Sequence, residues 1–197
     1  MITIGVTGPT GAGKSSVCEF IKNNYNAEII DADKVAKELQ DNKESDYYLA
    51  IREIFGNDVL DNNGFINRKS LAHIAFADTD KKNKLDKLTK RYVVSEIEKG
   101  IEKLKKIGLD YIIVDAPTLI ENGMQAMFDK IIVVIAKKEN RFKRICKRDD
   151  ISEEYATLRM QVQKENEFYT EHADFVITNE DKDLESKVRT VFEEMGR

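Results

Sequence analysis

The chain has 197 residues, of which 41% are hydrophobic and 35% are charged, and its formal net charge is -4. This composition predicts an ordinary globular protein of one domain, with room for an inserted subdomain, and the negative charge argues against a generic nucleic-acid binder. Two cysteines far apart in sequence form neither a disulfide framework nor a metal pair, and no apolar run approaches the roughly 18 residues of a membrane span, so we expect a cytoplasmic protein without a membrane partner.

Residues 8–15 read GPTGAGKS and match the pattern G-x-x-x-x-G-K-[ST]. The run Ile2–Thr7 before the motif is apolar and β-branched and predicts a buried strand, while residues 16–22 after it predict a helix packed on a sheet. A strand, a glycine-rich turn and a helix form the context in which this motif binds phosphate. The sequence therefore predicts a nucleoside-triphosphate site at the start of an α/β fold.

The chemistry of the predicted loop follows from its backbone. Glycines allow the φ values that turn successive N–H groups inward, and the helix N-terminus adds partial positive charge. In such loops the lysine, here Lys14, reaches the β- and γ-phosphates, and the hydroxyl, here that of Ser15, binds Mg²⁺.

A second short strand, Ala27–Ile30, ends in two carboxylates at i and i+2, Asp31 and Asp33. Side chains two residues apart on a strand point the same way, and the carboxyl ends of strands in an open α/β sheet lie beside the phosphate loop. The pair therefore suits Mg²⁺-water ligation and deprotonation of an acceptor hydroxyl. The alternative is that Asp33 is only the N-cap of a helix predicted over Lys34–Leu39.

No strand is predicted between about residues 35 and 108. Helical spacing of apolar residues predicts helices over Tyr48–Phe55, Ser70–Phe76 and Asp80–Ile107. A helical insertion of this kind usually carries the acceptor site of a kinase, although plain scaffold fits most of its residues individually.

The third predicted strand, Asp110–Asp115, is an apolar run that ends in a carboxylate, as in the Walker B pattern. This pattern places Asp115 near Mg²⁺, directly or through water. A fourth strand is predicted over Lys130–Ala136 and a fifth over Phe175–Ile177, with Asn179 in the loop that follows.

Basic residues accumulate after the fourth strand, on a predicted helix from about residue 137 to 148. Arg141, Arg144 and Arg148 fall within about 60° of one another on that helix. Three guanidinium groups on one face are either a solvated surface or a lid that neutralises the triphosphate. Ser152 is then the predicted N-cap of a helix to about His172, and Lys182–Glu194 is predicted as the last helix.

Two function classes compete. A GTPase switch needs D-x-x-G and N-K-x-D, and the chain contains both, at Asp61–Gly64 and Asn83–Asp86. Neither follows a predicted buried strand, so we interpret both as coincidence. A small-molecule or nucleotide kinase instead predicts the paired aspartates, the helical insertion and the arginine lid.

Taken together, the motifs resemble the dephospho-coenzyme A kinases, in order and over nearly the whole chain. The residues that carry the resemblance are Thr7–Ser16, Ile30–Asp33, Phe55, Gly56, Arg68, Leu71, Phe76, Pro117, Leu119–Glu121, Arg144, Arg148, Asp149, Ser152–Glu154, Arg159, Gln163 and Ala173–Ile177. The family phosphorylates the ribose 3′-hydroxyl of dephospho-coenzyme A with ATP, the last step of coenzyme A synthesis. The alternative is another small-molecule or nucleoside monophosphate kinase.

The resemblance implies a three-layer P-loop kinase fold with a five-stranded parallel sheet. Residues 1–34 and 110–197 would form the nucleotide core, with a lid at approximately 138–165, and residues 35–109 the helical substrate-binding insertion. It also implies ATP and dephospho-coenzyme A as substrates and Mg²⁺ as cofactor, and we expect a monomer or a weak oligomer.

Residue roles carry over in the same way. The resemblance assigns the ATP phosphates to six loop residues, Gly11, Ala12, Gly13, Lys14, Ser15 and Ser16. It makes Asp33 the base on the 3′-hydroxyl and places Asp31 in the Mg²⁺-water network. Arg144 and Arg148 would act from the lid, and Asn179 would lie near the adenine.

A last group of residues would contact the acceptor. Lys90 and Arg91 occupy positions where the family usually has His-Pro, although two cations there still suit an anionic substrate. Arg68 is the third predicted acceptor contact.

Overall fold

The computed structural model describes residues 1–180 and 183–196. In chain order the elements are β1 (Ile2–Thr7), α1 (Lys14–Asn24), β2 (Ala27–Asp31), α2 (Ala32–Asp41), α3 (Asp46–Phe55), α4 (Arg68–Phe76), α5 (Thr79–Leu104), β3 (Tyr111–Asp115), β4 (Lys130–Ile135), α6 (Lys138–Asp149), α7 (Glu153–Gln161), α8 (Asn166–Thr170), β5 (Phe175–Thr178) and α9 (Leu184–Met195). Short 3-10 turns lie at Asn57–Val59 and Gln125–Met127.

The chain divides into two compact units. The first, here called the sheet unit, comprises Met1–Ile30 and the described residues from Ile101 onward. The second, here called the helical unit, is Asp31–Gly100.

The sheet has five strands in the order β2-β3-β1-β4-β5, and it is parallel throughout. β1 is the central strand and pairs with β3 on one side and β4 on the other, with Ile4 opposite Ile113 and Gly5 opposite Ile131. All five strands predicted from the sequence are confirmed to within one residue at each end. The central position of β1 brings its carboxyl end, Thr7, to the middle of the sheet edge where the glycine-rich loop starts.

The strands and helices of the sheet unit share one hydrophobic core. β1 contributes Ile4 and Val6, which are fully buried, as expected for a parallel strand covered on both faces. From α1, Val17 and Ile21 pack into the same cluster, together with Val188 of α9. Because the strand before the loop and the helix after it are both anchored in this core, the loop between them has two fixed ends.

The helical unit has a core of its own, formed by α3, α4 and the 3-10 turn at Asn57–Val59, with Tyr47, Ile51 and Leu71 buried. Within the described residues of this unit no strand follows β2, as the sequence predicted. An isolated antiparallel bridge joins Leu60 to Ile66.

The GTPase-like motifs lie in this unit, and neither follows a buried strand. Asp61–Gly64 forms a tight turn, in which Oδ1 of Asp61 accepts hydrogen bonds from the N–H groups of Asn63 and Phe65 at 2.9 Å each. Asn83–Asp86 lies inside α5. The interpretation of both motifs as coincidence is confirmed.

The prediction of one helix from Ser152 to about His172 is wrong. Ser152 does cap α7, since its hydroxyl accepts from the N–H of Tyr155 at 3.2 Å, but α7 ends at Gln161 and a separate helix, α8, begins at Asn166. The connection between them exposes 85% of Val162. It also carries Gln163, whose side chain is engaged by residues far away in sequence.

The last helix begins at Leu184, whereas the prediction began it at Lys182, which lies outside the described residues. Across residues 1–180 and 183–196, the helices lack the combination of length and apolar character that crossing a membrane requires.

Candidate active site

The loop between β1 and α1 depends on glycine at two positions where the backbone turns. Gly8 has φ +134°, and a Cβ there would lie 2.1 Å from the carbonyl oxygen of Val134. Gly13 has φ +99°, and its Cβ would lie 2.1 Å from Nδ2 of Asn179. Positive φ and the lack of space each exclude larger residues, which explains the glycine spacing that the sequence motif shows.

Lys14 lies within the loop rather than in solvent. Its ammonium donates to the carbonyl of Gly8 at 2.8 Å and to that of Pro9 at 3.3 Å, and the side chain is buried. A buried ammonium is stable only with such acceptors. The Lys14 side chain, at the first position of α1, thus folds back over the loop with its charge against the carbonyls of Gly8 and Pro9.

Arg144 of α6 reaches the next part of the loop. Its Nη1 lies 3.4 Å from the carbonyl oxygen of Gly11 and 3.2 Å from that of Ala12, and its Nη2 donates to the carbonyl of Asn179 at 2.9 Å. Nδ2 of Asn179 in turn donates to the carbonyl of Ala12 at 2.8 Å. Two of the predicted nucleotide-binding residues are thus brought together on the loop, although 35 residues separate them in sequence.

Arg141 occupies a contact that the sequence did not assign. Only 2% of the residue is exposed, its Nε donates to the carbonyl of Thr10 at 3.0 Å, and its Nη2 donates to Oε1 of Gln163 at 2.8 Å. Burial lowers the pKa of this guanidinium from its usual value. Sequence reasoning grouped Arg141 with Arg144 and Arg148 on one helix face, but no local signal distinguishes the arginine that is buried.

The loop carbonyls from Gly8 to Ala12 therefore all accept hydrogen bonds from cationic or amide groups. In a planar trans peptide the C=O and the following N–H point in opposite directions. Holding the carbonyls of Thr10 and Ala12 on one side directs the N–H groups of Gly11 and Gly13 to the other. This is the orientation that binds anions at a helix N-terminus.

Arg148 is arranged differently from the other two arginines. Its Nε and Nη2 donate to the two carboxylate oxygens of Asp149 at 2.6 and 3.0 Å, and 58% of its side chain is exposed. Asp149 also accepts from Nη1 of Arg159 at 2.5 Å. The hydrogen bond from Arg148, with a smaller contribution from Arg159, lowers the pKa of Asp149 to about 2. The three arginines of α6 thus do not share one role.

Two oxygen donors of the sheet unit were predicted to lie near Mg²⁺. Ser15 is exposed in the first turn of α1, and Asp115 is half-buried at the end of β3, opposite Val6 of β1. In the part of the chain that the structure describes, no three His, Cys, Asp or Glu side chains come together as a metal cage. Mg²⁺ usually keeps several waters and takes only one or two protein oxygens besides phosphate, so these donors fit that ion.

Asp31, the last residue of β2, and Asp33 have different local roles. Asp31 is the N-cap of α2, because its Oδ1 accepts from the N–H of Lys34 at 3.0 Å. Asp33 is exposed in the first turn of the same helix. The alternative interpretation, in which Asp33 caps the helix, is wrong because the helix begins two residues earlier than predicted.

The remaining predicted acceptor contacts also lie in the helical unit. Nη2 of Arg68, the first residue of α4, lies 3.3 Å from Oδ1 of Asp41. Lys90 and Arg91 are exposed neighbours on α5, and the guanidinium of Arg91 lies 5.7 Å from the ring centroid of Tyr92.

A cleft of about 420 Å³ adjoins the loop within the sheet unit. Its walls include Gly13, Phe20, Arg144, Asn179 and Leu184. The volume lies in the range of small-molecule sites, which is about 300–1,000 Å³. Apolar side chains, the guanidinium of Arg144 and the start of α1 thus line the cleft, together with Glu185.

Comparisons with known proteins extend over both units. A family model described as dephospho-CoA kinase matches residues 2–185. A dephospho-CoA kinase of Aquifex aeolicus is 37% identical over 199 aligned residues, with 100% of this chain and 99% of that protein covered, and one of Bacillus cereus is 32% identical over 188, with 95% and 93% covered. A solved dephospho-CoA kinase structure from Campylobacter jejuni superposes with a TM-score of 0.71 at 27% identity, with 98% of this chain and 96% of that chain covered.

Proposed function

Because the chain belongs to the dephospho-CoA kinase family, we propose that it transfers the γ-phosphoryl group of ATP to the ribose 3′-hydroxyl of dephospho-CoA. It is a transferase of coenzyme A biosynthesis with an α/β P-loop kinase fold and ATP as co-substrate. The observation that carries the proposal is the loop from Gly8 to Ala12, in which the carbonyls are engaged by Lys14, Arg141, Arg144 and Asn179.

In phosphoryl transfer the protein mainly aligns the reacting groups and stabilises the charge on the phosphate oxygens. The proposed phosphate ligands are the N–H groups of Gly11–Ser16. Lys14 would turn from the loop carbonyls to the β- and γ-phosphates, and Arg144, already against the loop, would neutralise charge on the transferred group. Arg148 would leave its exposed pair with Asp149 to join it.

The chemistry that bound Mg²⁺ would supply is neutralisation of part of the phosphate charge. The residues that would hold the ion are Ser15, through its hydroxyl, and Asp31 and Asp115, through water. The hydroxyl and carboxylate donors that support this assignment are those preferred by a hard cation.

Asp33 is the proposed base on the 3′-hydroxyl. Its carboxylate is exposed in the first turn of α2, and the N-cap role that would compete for it is filled by Asp31. A loose transition state needs little from a base, so Asp33 would act through the orientation of the hydroxyl as much as through proton removal.

The acceptor is proposed to bind to the helical insertion at residues 35–109, and the segment at approximately 138–165 is proposed to act as the lid. Arg68, Lys90 and Arg91 would meet its diphosphate, since exposed cations suit an anionic ligand. The adenine of ATP would lie in the 420 Å³ cleft beside Asn179. We further propose a cytoplasmic monomer or weak oligomer without a nucleic-acid partner, in keeping with the acidic composition and the two cysteines.

A coupled assay of ADP release tests the proposal. The purified chain would be given ATP and Mg²⁺ with dephospho-CoA, shikimate, UMP or CMP in turn, and the product of the active reaction would be located by NMR. Of the four acceptors, we expect only dephospho-CoA to be turned over, and we expect its product to carry a new phosphate on the 3′-oxygen. Turnover only with a nucleoside monophosphate would overturn the acceptor, and ADP release that persists in Lys14→Ala would overturn the loop assignment.

A further inference from the structure

Two elements of the sheet unit, α6 and the α7–α8 connection, converge on Thr10 of the loop. The N–H of Thr10 donates to Oε1 of Gln163 at 3.1 Å, and its carbonyl accepts from Nε of Arg141 at 3.0 Å. Nη2 of Arg141 donates to the same Gln163 oxygen at 2.8 Å and closes the triangle. These three residues are here called the Thr10 clamp.

The clamp addresses a weakness of the loop. Gly11 has φ +77°, and glycine populates positive and negative φ about equally, so the peptide between Thr10 and Gly11 can rotate at little cost. Rotation would turn the Thr10 carbonyl toward the phosphate side of the loop and the Gly11 N–H away from it. A carbonyl oxygen repels phosphate where an N–H would bind it.

Arg141 cannot hold that peptide without a second anchor. The guanidinium is almost fully buried, and the acceptors that the structure gives it, the Thr10 carbonyl and the Gln163 amide, are both neutral. Glu165 and Tyr169 act on it only as nearby electrostatic partners. The Gln163 oxygen therefore sets the position of the buried cation as well as that of the Thr10 N–H.

Gln163 is suited to this task by the break between α7 and α8. Its own N–H donates to the carbonyl of Met160 at 3.2 Å, which fixes the backbone at the end of α7. Through Gln163, the connection between α7 and α8 thus joins the predicted lid segment to the loop.

We propose that Gln163 is a positioning residue for triphosphate binding: with Arg141 it fixes the Thr10 peptide so that N–H groups of the loop face the phosphates. The proposal rests on the proposed function, since it takes ATP as the ligand of the loop. It assigns Gln163 no contact with ATP.

The test compares Gln163→Met, which keeps the length of the side chain and removes its acceptor, with Gln161→Met. Gln161 is the matched control because it is exposed at the end of α7, two residues away. ATP and adenosine would each displace a fluorescent ATP analogue from wild type and from both variants. Adenosine is the second ligand because it has no phosphate.

If the Thr10 clamp orients the loop, its removal should weaken the binding of ATP but not that of adenosine, which has no phosphate. We expect Gln163→Met to weaken ATP binding by about tenfold or more, the range of one hydrogen bond to a charged group, and to change adenosine binding by less than about twofold. Gln161→Met should leave both ligands unchanged. Equal weakening of ATP and adenosine, or unchanged ATP binding, would overturn the clamp.

A second variant, Gln163→Asn, tests the same position in case Gln163→Met misfolds. Gln163→Asn keeps an amide but shortens its reach by one methylene, and it should show the same selective loss for ATP. If wild type did not bind ATP, the proposed function would fail and the clamp with it. If wild type binds ATP and both Gln163 variants match it, only the clamp fails.

Discussion

Arg144 and Asn179 meet over a single carbonyl of the phosphate loop. Nη1 of Arg144 and Nδ2 of Asn179 lie 3.2 and 2.8 Å from the carbonyl oxygen of Ala12, and Nη2 of Arg144 donates to the backbone of Asn179 at 2.9 Å. One planar guanidinium thus joins α6, the loop and the end of β5.

This geometry predicts that lysine cannot replace Arg144. A lysine keeps the charge but offers a point donor, which cannot bridge Ala12 and Asn179 together. We expect Arg144→Lys to lower kcat/KM for ATP by at least about tenfold, measured from initial rates with dephospho-CoA saturating. Lys147→Met, an exposed change on the same helix, is the control and should stay near wild type. Full activity of Arg144→Lys would mean that charge alone suffices.

If Asp33 is the base, its substitution should lower turnover without changing the affinity for ATP. Asp33→Asn should lower kcat by about 10²–10⁴-fold, because the hydroxyl loses its proton acceptor and its alignment, while the Kd for ATP stays unchanged. Calorimetry and initial rates measure the two effects. The control is Glu38→Gln, which removes one exposed charge from the same helix and only a solvated pair with Lys34. Asp33 is not the base if turnover survives its substitution.

Asp149 predicts a pH dependence of stability with a defined sign. Arg148 and Arg159 lower its pKa from the ordinary value of 3.8 to about 2 in the folded chain. A carboxyl with a depressed folded pKa stabilises the fold above the unfolded value and loses that contribution as the pH falls toward the folded one. The excess stability of wild type over Asp149→Asn, followed by urea unfolding, should therefore shrink from pH 4 toward pH 2.

An NMR titration locates the cause of that shift. We expect Arg148→Met to raise the pKa of Asp149 more than Arg159→Met does, since the Arg148 hydrogen bond is the larger cause. The reverse order would contradict the assignment of the pair.

The φ of Gly13 predicts that this position does not accept alanine. Gly13→Ala would place Cβ at 2.1 Å from Nδ2 of Asn179 at φ +99°, so either the loop or the Asn179 side chain must shift, and the hydrogen bond from Asn179 to Ala12 is disturbed. Left-handed backbone alone costs alanine about 1–2 kcal/mol, and we expect a lower Tm and at least about tenfold weaker ATP binding. The matched change is Gly196→Ala at the end of α9, where φ is -83° and the nearest atom would lie 3.6 Å away. Equal behaviour of the two variants would argue against the strained loop.

Much of the sheet unit could be predicted because its signals are local. The apolar, β-branched run Ile2–Thr7 forms a strand wherever it is buried, and the glycine pattern after it allows few other backbones. The same applies to the strand that ends at Asp115. Local patterns did not locate the start of α2, because Asp31 and Asp33 both suit an N-cap by residue type and differ only in which N–H group each one reaches.

The sequence by itself determined the glycine-rich loop, the positions of the five strands along the chain and the family resemblance. The physical reason is that spacing and residue type along a short stretch restrict the backbone directly. Only the tertiary structure decided that Arg141 is buried, that Arg148 pairs with Asp149, and that Gln163 lies in a connection between two helices and binds Thr10. The physical reason is distance along the chain. Thr10 lies 131 residues from Arg141 and 153 from Gln163, so their hydrogen bonds exist only once the sheet has placed α6 and the α7–α8 connection against the loop.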